Sequence, residues 1–148
     1  MKISTRGHYG TRAMLELALH YGSKPLNLTD IAKTQEIPRG YLEHIMASLL
    51  SAGLARSVRG KHGGFMLAKP PESITVNKVL RATEGPIWLV PCMENPKLCK
   101  RSHICVPHEI WKKLKKAMDN ALDSVTLSDM VKMQKNKLKK PHAQVYYI

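Results

Sequence analysis

Aromatic residues are scarce, 5% of 148 residues with Phe65 the single phenylalanine, which disfavours a surface that stacks the bases of single strands. Acidic residues are also few, 11 against 24 lysines and arginines, for a formal net charge of +13 and a pI near 9.9. That imbalance selects a polyanion as partner, most simply duplex nucleic acid, or else an anionic membrane surface. Apolar runs such as Ile45–Leu50 fall far short of the roughly 18 residues that span a bilayer. No apolar block of signal-peptide length follows Met1-Lys2-Ile3-Ser4-Thr5-Arg6, so the chain reads as cytoplasmic with reduced thiols. Paired carboxylates in a pocket-like context, a phosphate-loop glycine pattern and a Ser/His/Asp set are all missing, which argues against an enzyme and against a small-molecule substrate. Only three cysteines occur, all between positions 92 and 105. Too few and too crowded for a disulfide framework, they point to a metal or redox site.

What is present is helical periodicity. From Thr5 to about Tyr21, the residues Tyr9, Ala13, Met14, Leu17, Ala18 and Tyr21 recur at steps of three and four, an amphipathic helix. Gly22-Ser23-Lys24-Pro25 breaks it, and Asn27 with Asp30 starts a short helix through about Gln35. Pro38 opens a third, along which Tyr41, Leu42, Ile45, Met46, Leu49 and Leu50 form a buried stripe before Gly53 stops it. Two short strands, within Leu54–Arg59 and Phe65–Ala68, then flank a glycine-rich tip. Three helices followed by a basic-tipped hairpin make a winged helix.

Beyond Pro70-Pro71, Thr75 caps a helix to about Glu84, and Ile87–Val106 lacks any sustained period and reads as a loop. From Pro107, Ile110, Leu114, Ala117, Met118, Ala121, Leu122 and Val125 keep helical spacing opposite Lys112, Lys113, Lys115 and Lys116. So long an apolar seam in so small a chain suits a helix that pairs with a second copy. Thr126 to Asp129 starts a last helix to about Lys137. The fold class is therefore mainly α: a winged helix-turn-helix with a small β-hairpin wing, a cysteine-bearing loop and a long dimerisation helix. Its expected organisation is a DNA-binding domain over 1–70, the loop and dimerisation helices over 71–137, and a basic, disordered tail over 138–148.

In such a fold the third helix enters the major groove. Its outer face offers Arg39, Gly40, Glu43, His44 and Ser48, with Tyr41 beside them. Glu43 could accept from cytosine, Arg39 could meet guanine or a phosphate, and His44 either; equally, these are ordinary surface residues, and the module could bind protein. The tip, Arg59-Gly60-Lys61-His62-Gly63-Gly64, concentrates cations where glycines permit close approach, with Arg59 suited to a minor groove. Lys2, Ser4, Thr5, Arg6 and Tyr9 surround a helix N-terminus that favours phosphate, although Ser4 or Thr5 could simply cap it.

Cys92, Cys99, Cys105 and His108, with six, five and two residues between them, supply three soft thiolates and an imidazole. The absence of a Cys-x-x-Cys knuckle favours an iron-sulfur cluster over zinc, since wider spacing accommodates a larger body. A purely thiol-based redox role stays open on these residues, and His103 competes with His108 for the fourth position.

The opening KISTRGHYGTRAMLELAL, the segment YLEHIMASLLSAGLARSVRGKHGGFML, the run ITVNKVLRATEGPI and the stretch from Cys92 to His108 followed by VTLSDM resemble the Rrf-type winged-helix transcription regulators. Within them the chain is most similar to the iron-sulfur cluster regulators of the IscR type. The resemblance covers about residues 1–135 and implies a homodimer on a palindromic double-stranded DNA operator, sensing cluster status, oxidants or nitric oxide. It also implies that Cys92, Cys99, Cys105 and His108 hold a 2Fe-2S cluster, that Glu43 takes part in discriminating operator classes, and that Arg59 is the wing arginine. Related nitric-oxide sensors hold a 4Fe-4S cluster with a carboxylate from the partner's N-terminal region, where this chain has His8. Two departures are a first cysteine interval one residue longer than usual, and His44 where glutamine is common.

Overall fold

A computed structural model describes residues 2–140. The first helix, α1 (Thr5–Leu19), begins where the Ser4 hydroxyl accepts the Gly7 amide at 3.1 Å. It stops two residues short of Tyr21, which is 52% exposed and so leaves the buried face assigned to it. Asn27 caps α2 (Leu28–Gln35) by accepting the Asp30 amide at 2.8 Å. Next comes α3 (Arg39–Ser51), whose Leu42, Ile45, Met46 and Leu49 are buried. Tyr41 is 39% exposed, because it leans on Tyr9 of α1 instead of entering the core.

Strands β1 (Ala55–Val58) and β2 (Gly64–Leu67) pair antiparallel, Ala55 opposite Leu67 and Val58 opposite Gly64. Leu26 pins this hairpin to the α1–α2 connection: its amide donates to the Phe65 carbonyl at 3.0 Å and its carbonyl accepts the Phe65 amide at 2.7 Å. Gly64, at φ +155°, makes that approach possible, since a Cβ there would lie 2.3 Å from the Leu26 carbonyl oxygen.

After a 3-10 turn at Pro71–Ser73, α4 (Val76–Glu84) packs against α1, α3 and the later helix α6 (Val106–Asp123). The segment read as a loop contains one short helix, α5 (Pro91–Glu94), and a 3-10 turn, Pro96–Leu98, each opened by a proline that fits a first helical position. They are too short to leave a period in the sequence. The chain returns through α7 (Leu127–Lys139), which lies on α1. Ile74, Val79 and Leu127 join Met14, Ile31, Leu42 and Ile45 in one apolar core, so residues on both sides of Pro70 build it. Leu138 and Lys139 of the basic end are helical; 141–148 lie outside the described residues.

The start of α7 is a reciprocal cap in which the Thr126 hydroxyl accepts the Asp129 amide and the Asp129 carboxylate accepts the Thr126 amide. The Thr126 amide and, secondly, the Thr126 hydroxyl, each donating to the Asp129 carboxylate, hold that carboxyl below its ordinary value of 3.8. A carboxyl lowered by folding contributes above its unfolded pKa and loses that contribution as pH falls through the folded one. Thr126→Ala is expected to lower stability by about 1 kcal/mol, read from urea unfolding at neutral pH, with the deficit shrinking in acid.

Candidate DNA interface and cysteine loop

Arg39, Gly40, Glu43 and His44 share the solvent face of α3, because the opposite stripe is consumed by the core. Arg39 and Glu43 pair at 3.7 Å across one helical turn, their side chains 63% and 53% exposed, so water-screened attraction leaves both able to turn toward a base edge. Ser48 is half-buried: its hydroxyl donates to the His44 carbonyl at 3.3 Å and accepts from the Arg6 guanidinium. Tyr9 meets Tyr41 edge-on at 5.8 Å between ring centres. Arg12 stacks on Tyr9 and donates to the Gln35 side chain at 3.2 Å. Arg6, Tyr9, Tyr41 and Ser48 therefore fix the angle between α1 and α3.

At the wing tip, the Gly63 amide donates to the Gly60 carbonyl at 3.0 Å, closing a turn that leaves Arg59, Gly60, Lys61 and His62 exposed. The α1 N-terminus departs from a bare phosphate site, because the Ser4 amide donates to the Glu84 carboxylate at 3.0 Å. A Cβ on Gly7 would fall 1.8 Å from that carboxylate, so the residue's smallness lets α4 supply the anion. Thr5 is exposed in the first turn. Lys2 lines a recess with Ile3, Ile87, Met118 and Leu122.

The second constellation sits where the α5 segment runs into α6. Cys92 lies in α5, Cys99 follows the 3-10 turn, Cys105 is the residue before α6, and all three are free and half-buried. His108, in the first turn of α6, is 7% exposed and brings Nδ1 to 3.9 Å from the Cys92 Sγ. The rival His103 is exposed. Among the described residues no three of the His, Cys, Asp or Glu side chains converge closely enough to hold one ion, so Cys92 and His108 meet while Cys99 and Cys105 stand outside their contact. Three thiols with a buried imidazole match the soft donor set of an iron-sulfur cluster. Glu109 is engaged elsewhere: a 3.0 Å hydrogen bond from Lys112 holds its carboxyl below the ordinary value.

From this loop α6 runs to a clamp on α4. Asp119 receives Lys115 and lies 3.5 Å from Arg81 of α4. Lys115 is only 13% exposed, its ammonium 5.7 Å from the Trp88 ring centre, so it leaves the solvated lysine face expected for it. Further along, the Asp123 carboxylate accepts from the Thr75 hydroxyl at 3.1 Å and from the buried Asn77 amide at 2.9 Å. Asp123→Ala is expected to cost about 2 kcal/mol by stranding the Asn77 amide, seen as a lower urea midpoint. No local sequence signal marks these partners, since they lie 38 to 48 positions apart. The stripe of α6 away from α4 remains apolar and open, with Ile110 55% and Leu114 45% exposed.

Residues 3–133 match the Rrf2 family, described as iron-dependent transcriptional regulators. The HTH-type transcriptional regulator CymR of Bacillus subtilis, described with its solved structure as the global cysteine regulator of that organism, is 40% identical over 88% of this chain and 89% of its own. The HTH-type transcriptional regulator IscR of Erwinia tasmaniensis is 33% identical over 90% of this chain and 81% of its own. The solved structure of T. potens IscR superposes with a TM-score of 0.77 at 37% identity, covering 99% of this chain and 97% of that one. These likenesses, on a helix-turn-helix with a cationic wing, establish that the chain belongs to the Rrf2 family of winged-helix transcription regulators.

Proposed function

We propose that this regulator acts as a homodimer on a palindromic DNA operator, and that Cys92, Cys99, Cys105 and His108 hold an iron-sulfur cluster, 2Fe-2S in form, whose occupancy sets operator affinity. The observation that carries the reading is the buried His108 against Cys92 at the head of α6, the helix whose Asp119 and Asp123 grip α4. When bound, the cluster supplies a group that reacts with oxidants and nitric oxide. The chain's own residues do the rest: His108 orients the first turn of α6, Asp119 and Asp123 tie it to α4, and Glu84 of α4 meets the Ser4 amide at the start of α1. A tenfold change in operator affinity needs only about 1.4 kcal/mol of difference between loaded and empty states. The open stripe around Ile110 and Leu114 suits a second copy, and twofold symmetry then requires a palindromic site.

Protein purified without oxygen is expected to contain iron and sulfide in matching amounts, with visible absorption and a reduced-state paramagnetic resonance signal that separates 2Fe-2S from 4Fe-4S. A colourless protein holding stoichiometric zinc, or no metal after reconstitution, would sink the cluster assignment. It would favour a second reading, a thiol regulator, which the similarity to CymR and the three free, half-buried thiols support. On an operator selected from random duplexes, affinity is expected to fall with salt at a slope near −0.9 per phosphate neutralised; a flat response would point to a protein partner instead. Arg59→Ala is expected to weaken operator binding about tenfold, about 1.4 kcal/mol, with the visible spectrum unchanged. A colourless Arg59 variant would contradict separate roles for wing and loop.

A further inference from the structure

Behind the wing lies a second concavity, of about 360 Å³, between the end of α1, the α1–α2 connection and the outer side of the hairpin. That size falls within the range of small-molecule sites. It is lined by buried Leu17 and Leu67, half-buried Phe65 and the exposed ring of Tyr21, together with the exposed cations Lys24, Arg56 and Lys69. None of these three cations makes a salt bridge among the described residues. No carboxylate is among the described residues that line it, and Glu16, next to the lining His20, is committed to Gln35 at 2.7 Å and to His20 at 3.5 Å. An apolar bed under three unpaired cations is complementary to a molecule with an apolar body and an anionic head.

We propose that this wing-base pocket binds a small organic carboxylate with an aromatic or branched apolar body, and that occupancy alters operator affinity. The body would lie on Tyr21 and Phe65, and the carboxylate would face Arg56 and Lys69. The link to DNA is the Leu26–Phe65 pair of hydrogen bonds, which joins the pocket's wall to β2 and hence to Arg59 at the wing. A ligand that bridges the helices and the hairpin favours one wing orientation, and it shifts operator affinity by its preference for that orientation. The site is independent of what the cysteine loop holds.

The test is a titration of the intact, isotopically labelled protein with 3-phenylpropionate, followed by amide resonances, beside 3-phenylpropanol as the uncharged counterpart. Saturable shifts confined to Leu26, Phe65, Lys69 and their neighbours are expected, with the alcohol binding at least tenfold more weakly. Arg56→Gln, at an exposed position that leaves the core intact, is expected to weaken the acid about tenfold, and Leu17→Met to alter the shifts while retaining the charge preference. Saturating acid is expected to change operator affinity severalfold in the parent and less in the Arg56 variant. Shifts scattered over every basic surface, equal binding of acid and alcohol, or an unchanged operator affinity at saturation would each overturn the proposal. So would perturbation of the same amides by a short duplex but not by the acid, which would make the pocket part of the DNA interface.

Discussion

Alanine at Cys92, at Cys99 or at Cys105 is expected to remove the visible chromophore of anaerobically prepared protein altogether, and with it any difference in operator affinity between loaded and oxidised samples. The chain has three cysteines in all, so no other thiol can take over a lost position. The fold should survive each change. None of the three is buried, and apart from His108 no residue between Gly85 and Thr126 is among the buried ones. Circular dichroism should therefore match the parent, with stability lowered by no more than about 1 kcal/mol, since each thiol is half-buried and outside the core. His108→Ala should act differently, leaving three thiols and an altered, less persistent spectrum. A Cys99→Ala protein that keeps its full colour would remove Cys99 from the ligand set and require a different donor.

Gly64→Ala is expected to lower stability by about 3 kcal/mol, from about 1–3 for a side chain in the left-handed region and about 1–3 for overpacking. The added methyl would meet backbone, the Leu26 carbonyl oxygen at 2.3 Å and carbon at 2.5 Å, and a main chain held by two hydrogen bonds cannot yield as a side-chain tip would. Relief requires breaking the Leu26–Phe65 bridge, which frees the hairpin from the α1–α2 connection. The variant should then show two linked losses, a lower midpoint in urea and weaker operator binding, while the cysteine loop still acquires its colour. Parent-like stability and operator affinity together would show that the bridge is dispensable.

How much of this was legible beforehand follows the range of the forces involved. Helix starts were readable because caps are local: Ser4, Asn27, Thr75 and Thr126 each accept an amide three residues ahead. The hairpin was readable from two short strand-forming runs around a glycine-rich tip. Tyr41 and Lys115 went against periodicity for one reason, that each found a partner from a distant segment, Tyr9 in one case and Trp88 in the other. The cysteine loop was visible as chemistry but not as structure, since short proline-started turns carry no period. Glu84 reads in sequence as an unremarkable helix-end charge. Only the fold puts it at another helix's start. The wing-base pocket left no trace because its walls come from two stretches, one ending at Leu26 and the other beginning at Arg56, and concavity has no sequence signature.

The sharing of one core by Ile74, Val79 and Leu127 with the first three helices bears on how the molecule can be divided. A fragment ending at Pro70 would lose Ile74, Val79 and Leu127 from the core they share with Met14, Leu42 and Ile45, and it is expected to be less stable than the whole chain. Swapping it between relatives would have to carry α4 and the beginning of α7 along, whereas the segment between Gly85 and Cys105 can be exchanged with little disturbance to the interior. The interior is thus forgiving in one place only: the stretch that carries the cysteines can be altered without repacking it, whereas a change in the shared core is felt by the first three helices, α4 and α7 together.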